Sequence, residues 1–141
     1  MTVIEAAERK GGYRAISFYF FSAMSLVTLC WSMERPDSDF LRGMWAGLTF
    51  AAAANLLPLA RWLKPRSEVA RLLDDDGVRE HRRISCTAGF WAAVVSSLAV
   101  ATATELRAPL GPFDAVRVVA TAAIAAALLS FATLERRAAR A

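Results

Sequence analysis

Charged residues are missing from four long stretches of this 141-residue chain, although Asp, Glu, Lys and Arg make up 21% of it. The stretches, which also lack histidine, are residues 15–33, 43–60, 84–104 and 118–134, and each is 17 to 21 residues long. A helix needs about 20 residues, with about 17 as the lower limit, to cross a hydrocarbon core. A water-soluble helix of this length would carry a polar face. The sequence therefore predicts four transmembrane helices.

Histidine and cysteine, the residues of many metal and catalytic sites, are scarce. His81 is the only histidine, and Cys30 and Cys86 are the only cysteines. A zinc site takes several Cys and His ligands, and nucleophilic hydrolysis needs a nucleophile beside a base. The sequence also has no glycine-rich phosphate loop. We therefore expect no cofactor, no metal and no enzyme activity.

Basic residues are distributed unevenly among the segments that connect the stretches. Thirteen of the 17 lie before the first stretch, between the second and third, or after the fourth. An excess of Lys and Arg marks the cytoplasmic side, and it attracts anionic lipid headgroups. Both termini are therefore predicted to be cytoplasmic. Because no folded basic element is present, nucleic acid is not expected as a partner.

The predicted fold is all-α, an integral membrane four-helix bundle made of two transmembrane hairpins. Prolines and glycine in the two short outer connections stop the helices there and make neighbours antiparallel. In the central connection, Val69, Leu72 and Leu73 have the spacing of a short amphipathic helix at the membrane interface. The predicted segments are an N-terminal tail (1–14), hairpin 1 (15–63), the cytoplasmic connection (64–83), hairpin 2 (84–135) and a basic tail (136–141).

A short repeat opens the second and fourth helices. Asp39 is followed three residues later by Arg42, and Asp114 is followed in the same way by Arg117. The carboxylate favours the positive end of a helix dipole, and the arginine pairs with it or extends to the headgroups. The fourth span, 118–134, reaches a comfortable length for a membrane crossing if residues 113–117 form its first turn at the interface.

Small residues recur every four positions along the second span. Gly43, Gly47, Ala51 and Asn55, here called the glycine face, fall on one side of a helix. Such a face lets two helix backbones approach closely, and a buried amide can bond across the contact. We expect a helix contact there, within the bundle or between protomers. Pro58 is expected to kink this helix, with Asn55 bonding the freed carbonyl.

The densest polar group lies in the central connection and is here called the acidic–basic cluster. Its spacing matches neither a calcium loop nor a zinc site. It is either a solvated helix with internal ion pairs or a docking surface for a partner protein. Its residues are Asp74, Asp75, Asp76, Arg79, Glu80, His81, Arg82 and Arg83.

This part of the chain resembles small uncharacterised bacterial inner-membrane proteins with four transmembrane helices. In them an acidic pair and a basic run lead into an aromatic-rich third helix. The resemblance covers residues 39 to about 91. This chain has Asp74-Asp75 where that pattern has Asp-Glu. The resemblance implies a location in the bacterial inner membrane but no activity. The matching residues are Arg42-Gly43, Gly47, Leu72-Leu73-Asp74-Asp75, Arg79, Arg82-Arg83 and Gly89-Phe90-Trp91.

Two functions remain open for such a bundle. The first is a non-catalytic protein that acts through protein contacts, as an accessory subunit, an anchor or a regulator, with a second copy or another protein as partner. The alternative is a conduit for ions or small molecules formed by oligomerisation. A conduit needs a continuous polar path, whereas these spans carry only scattered hydroxyl groups.

The two cysteines test the predicted orientation. Cys30 is predicted near the outer face and Cys86 near the cytoplasmic face, too far apart for a disulfide, which needs Cα atoms within about 7 Å. A membrane-impermeant thiol reagent added to intact cells is expected to modify Cys30 and to spare Cys86. Labelling of Cys86 alone would show that the orientation is inverted.

Overall fold

The structure is a computed structural model that describes residues 3–35, 38–57, 76–106 and 110–138. Its described residues form helices and contain no strand, which confirms the all-α prediction. The helices are α1 (Val3–Glu34), α2 (Asp39–Leu56), α3 (Asp76–Glu105) and α4 (Pro112–Ala138). Most of the predicted interfacial helix lies outside the described residues.

Three of these helices are long and apolar enough to cross a membrane. The segments that qualify are Gly12–Glu34 of α1, Gly77–Glu105 of α3 and Pro112–Ala138 of α4. The second predicted span is not among them, because α2 has 18 residues and includes Asp39 and Arg42. The predicted span 43–60 also continues beyond the described residues. Three of the predicted spans therefore have the length and apolarity that a membrane crossing needs, whereas the crossing itself and the second span stay predictions.

The described part of α2 ends just before Leu57, where a kink was predicted. Leu57 has an extended backbone (φ −79°, ψ 149°), the conformation that a residue preceding proline favours. Pro58 itself lies outside the described residues. The carbonyl of Ala54 accepts a hydrogen bond from the N–H of Leu57 at 3.2 Å. Asn55 instead donates to the carbonyl of Ala51 at 2.8 Å, so its amide caps its own helix.

Helix α4 is the centre of the bundle, because it contacts α1, α2 and α3. Its most extensive contact is with α3, and the next is with α1. Phe131, near the end of α4, packs against Phe18 near the start of the apolar part of α1 and against His81 near the start of α3. Both α1 and α3 therefore run antiparallel to α4. One end of the bundle carries Arg14, Arg79, Arg82, Arg83, Arg136 and Arg137.

The bundle is apolar outside and partly polar inside, the reverse of a water-soluble protein. Large apolar side chains are exposed along the three candidate spans, among them Ile16, Phe20, Val27, Phe90, Trp91, Val95, Leu98 and Val116. The buried side chains include Ser22, Ser25, Thr28, Ser32, Ser85, Arg117 and Thr121. Hydrocarbon accepts the first set, and helices in a membrane bury the second against one another. This distribution supports a membrane protein independently of helix length.

Helices α3 and α4 make their close contact at Gly89, not at Gly43 or Gly47, where the sequence predicts a helix contact. A Cβ atom on Gly89 would lie 2.8 Å from the carbonyl oxygen of Ala123 and 3.1 Å from Cβ of Ala127. The two helices therefore approach so closely that only glycine fits at this position. Around Gly43 and Gly47 a Cβ atom would meet nothing within 4 Å.

Alanine substitutions at these glycines should have opposite effects. Gly89→Ala is expected to cost about 1–3 kcal/mol of unfolding free energy, because a backbone oxygen blocks the added methyl group. Gly43→Ala and Gly47→Ala are matched controls in open space and should be neutral or stabilise by about 0.5–1 kcal/mol. Thermal or denaturant unfolding in detergent measures all three. Equal effects would contradict the proposed α3–α4 contact.

Candidate functional site

The glycine face lies on the outside of the bundle. Gly43, Gly47 and Asn55 are exposed, and Ala51 is half-buried. Helix α2 packs against the bundle through the opposite side, which carries Leu41, Trp45 and Ala52. Within the described residues, the glycine face therefore makes no close helix contact inside the chain. A contact between protomers or with another protein stays a prediction.

The acidic–basic cluster is only partly described, since Asp74 and Asp75 lie outside the described residues. Helix α3 begins at Asp76 and continues without a break into the third predicted span. Glu80 and Arg83 are exposed and pair at 3.0 Å. His81 is half-buried against the ring of Phe131, with the ring centroids 6.4 Å apart. In the described part of the chain, no three His, Cys, Asp or Glu side chains are grouped as metal ligands.

The buried side of α1 carries a file of small hydroxyl groups, here called the hydroxyl stripe. Its members are Ser22, Ser25, Thr28 and Ser32, each at most 2% exposed. They follow one another at intervals of three and four residues, which places them on one face of the helix. The hydroxyl groups of α1 are therefore not scattered, as the sequence suggests for the spans, but lie in a single file.

Two members of the stripe satisfy their hydroxyl groups within α1 itself. Thr28 donates to the carbonyl of Met24 at 2.7 Å, and Ser32 donates to the carbonyl of Leu29 at 2.8 Å. This back-bonding is the usual solution for a hydroxyl in an apolar environment. The Oγ atoms of Ser22 and Ser25 are buried without a hydrogen-bond partner among the described residues. Small side chains here let α1 approach its neighbours closely.

A buried arginine lies near the start of α4. The side chain of Arg117 is 0% exposed, and its Nη1 donates to Oδ1 of Asp114 at 2.9 Å. The guanidinium carbon lies 5.4 Å from the centroid of the Phe113 ring and 5.8 Å from that of the Trp45 ring. Cation–π contacts of this kind stabilise a desolvated guanidinium.

The indole of Trp45 connects α2 to the same place. Its Nε1 donates to Oγ1 of Thr121 at 2.9 Å, so this tryptophan is a buried hydrogen-bond donor. Together, Trp45, Phe113, Asp114, Arg117 and Thr121 are here called the Arg117 cluster. The cluster joins α2 to α4 through polar and aromatic contacts.

Both members of the predicted Asp–Arg repeat form their ion pairs. Asp39 and Arg42 pair at 3.5 Å on the surface, and Asp114 and Arg117 pair at 2.9 Å with the arginine buried. The local pairing is confirmed in both. Burial distinguishes them: α2 covers Arg117, whereas nearly all of the Asp39 carboxylate is exposed.

A second ion pair ties α1 to α4 at the opposite end of the bundle. The Nε and Nη2 nitrogens of Arg14 both donate to Oε1 of Glu135, with Nε at 3.0 Å. The guanidinium also lies over the ring of Phe131, at 5.1 Å. Beside it, the hydroxyl groups of Tyr19 and Thr133 are 3.1 Å apart. These five residues are here called the Arg14 cluster.

The register between α1 and α4 relates the hydroxyl stripe to the Arg117 cluster. Phe18 and Phe131 are in contact, and the two helices are antiparallel. A residue that lies a given number of positions after Phe18 in α1 is therefore at the same depth as the residue that lies as many positions before Phe131 in α4. By this count Thr28 is level with Thr121, and Ser32 is level with Arg117. Polar residues of both helices therefore lie at matching depths at this end of the interior.

Comparison of the chain with family models, curated proteins and solved structures found no match in any of the three.

The hydroxyl stripe could have been predicted from the spacing of its residues, although not from the amino-acid composition. Ser22, Ser25, Thr28 and Ser32 repeat with helical spacing, and an apolar span with hydroxyls on one face buries that face against another helix. The burial of Arg117 had no such indication, because it depends on Trp45, 72 positions earlier in the sequence, reaching the same place.

The Arg14–Glu135 pair should make a measurable contribution to stability. A double-mutant cycle with Arg14→Gln and Glu135→Gln is expected to give a coupling of about 1–3 kcal/mol, since both groups are largely shielded and share three hydrogen bonds. The exposed pair of Asp39 and Arg42, changed to Asn and Gln, is the control and should show no measurable coupling. Unfolding in detergent gives both values, and equal coupling would refute the role of burial.

Proposed function

We propose that the protein is a non-catalytic integral membrane protein of the bacterial inner membrane that acts by packing against another transmembrane protein. In this proposal all four helices cross the membrane, both termini are cytoplasmic, and the arginine-rich end of the bundle faces anionic headgroups. Its role is that of an accessory subunit, an anchor or a regulator.

The observation that carries the proposal is the exposure of the glycine face. Gly43 and Gly47 lie opposite the side of α2 that packs against the bundle, and the space around them is open. Phe40 and Phe50 project from the same side of α2 and flank this open space. Small residues at intervals of four let a second helix approach the backbone, which is the main source of helix association in a membrane.

The weak attachment of α2 to the rest of the bundle supports the same proposal. Helix α2 contacts α1 moderately and α4 to a smaller extent, whereas α3 and α4 pack along much of their length. It begins with the exposed pair of Asp39 and Arg42, and Phe40 and Phe50 project outward from it. A short helix with one uncovered side gains most from a neighbour outside the chain.

The conduit hypothesis has one observation in its favour, the hydroxyl stripe of α1. Its members line up inside one chain, so no oligomer is needed to form the file. Each member of the stripe is nearly inaccessible to solvent, however, and Phe18 packs against Phe131 between the stripe and the Arg14 cluster. Conduction requires a path open to water, so this closure favours the contact function over the conduit.

Leucine substitutions on the glycine face should weaken the binding of the partner protein. The double variant Gly43→Leu/Gly47→Leu is expected to lower the affinity for the partner at least tenfold, because the added side chains hold the second helix away. The measurement is the mass of the particle purified in a mild detergent, by light scattering, with mass spectrometry of any second chain. A second copy or a second protein in fixed proportion would identify the partner.

Gly12→Leu is the matched control, because Gly12 is also helical, exposed and surrounded by open space. This variant should form the same complex as the unchanged protein. A particle that is monomeric before substitution, or one whose mass is the same in the double variant, would refute the proposed function.

A further inference from the structure

The guanidinium of Arg117 has one edge engaged and one edge unused. Nη1 pairs with Asp114, whereas Nε and Nη2 have no hydrogen-bond partner among the described residues. The side chain is completely buried, so no solvent reaches these two donors directly. A buried charged donor is stable only when its hydrogen bonds are made.

The two unused donors belong to the same edge of the guanidinium group. Nε and Nη2 point in the same direction, and this edge forms the paired hydrogen bonds by which arginine holds a carboxylate or a phosphate. Asp114 occupies a different nitrogen, so it does not compete for this edge. The rings of Trp45 and Phe113 lie near the same guanidinium and restrict how it can turn.

In Arg14 the same Nε–Nη2 edge of the guanidinium group binds a carboxylate. Its Nε and Nη2 both donate to one carboxylate oxygen of Glu135, and its guanidinium also lies near an aromatic ring, that of Phe131. The two arginines therefore have similar surroundings, but a carboxylate of the protein contacts the Nε–Nη2 edge only in Arg14, since Asp114 contacts Nη1 of Arg117.

The Arg117 cluster is close to one end of the bundle. Arg117 is the sixth residue of α4, and Phe113 and Asp114, in the first turn, remain partly exposed. The positive end of the helix dipole is at the same place and favours a negative group. In the membrane arrangement proposed above, this is also the depth at which lipid phosphates lie.

We propose that the Nε–Nη2 edge of Arg117 binds a phosphate group that enters at the start of α4 beside Phe113. The phosphate belongs either to a lipid headgroup or to free phosphate in solution. The lipid source rests on the membrane arrangement of the proposed function, but the site does not involve the glycine face, which is on the opposite side of α2 from Trp45.

The test uses the full chain, purified in an uncharged detergent, with two phosphate probes. Inorganic phosphate is compared with chloride at equal ionic strength, and dihexanoyl phosphatidylglycerol is compared with dihexanoyl glycerol. Unfolding temperature and tryptophan fluorescence, to which Trp45 contributes, are followed as each probe is added. Saturable binding of at least one phosphate probe is expected. Binding of the lipid alone identifies a headgroup site, and binding of inorganic phosphate identifies a site for the free anion.

Three variants assign the binding to Arg117. Arg117→Lys keeps the charge but loses the paired donors, so binding should weaken at least about tenfold. Asp114→Asn removes a nearby negative charge and should tighten binding several-fold. Arg35→Lys, an exposed arginine at the same end, is the control and should bind as the unchanged protein does.

The outcomes against the proposal are equally definite. Absence of saturable binding by both probes would overturn it, and so would unchanged affinity in Arg117→Lys. If Arg117→Lys does not fold, as judged by circular dichroism and gel filtration, Asp114→Asn decides: tighter binding supports the site, and unchanged binding overturns it.

Discussion

Polar groups buried between apolar helices must find their partners inside the protein, because hydrocarbon offers none. The arrangement of this bundle follows from that constraint. Both buried ion pairs involve α4, which pairs Arg117 with Asp114 at one end and supplies Glu135 to Arg14 at the other. Arg117 and Asp114 pair within α4 itself, whereas the Arg14–Glu135 pair joins α4 to α1, and α4 also contacts α2.

Between the two ion pairs the interior is held by small side chains. The hydroxyl stripe of α1 occupies little volume, with Thr28 and Ser32 bonded to carbonyls of their own helix, and Gly89 brings α3 against the backbone of α4. Close packing of small residues replaces the large apolar core of a soluble bundle, since burial of apolar surface gains little when the alternative is lipid. The large side chains are consequently on the outside.

Helix α2 has different surroundings on its two sides. Trp45 faces inward, bonds Thr121 and covers Arg117, whereas Gly43 and Gly47 face outward into open space. The two proposed sites therefore use opposite sides of one helix. A phosphate at Arg117 and a second helix on the glycine face can be present together, because α2 itself separates them.

The sequence by itself determined the helices and their local pairs. Charge-free stretches of sufficient length predicted the apolar helices, three of which qualify as spans, and the Asp–Arg repeat formed both ion pairs. Such features depend on neighbours within one or two turns. Only the tertiary structure decided which side of each helix is covered. It buried Arg117 and left Arg42 exposed, and it placed Gly89 in a close contact while Gly43 remained open. Helical spacing defines the faces of a helix, but the covering of a face depends on residues far away in the chain.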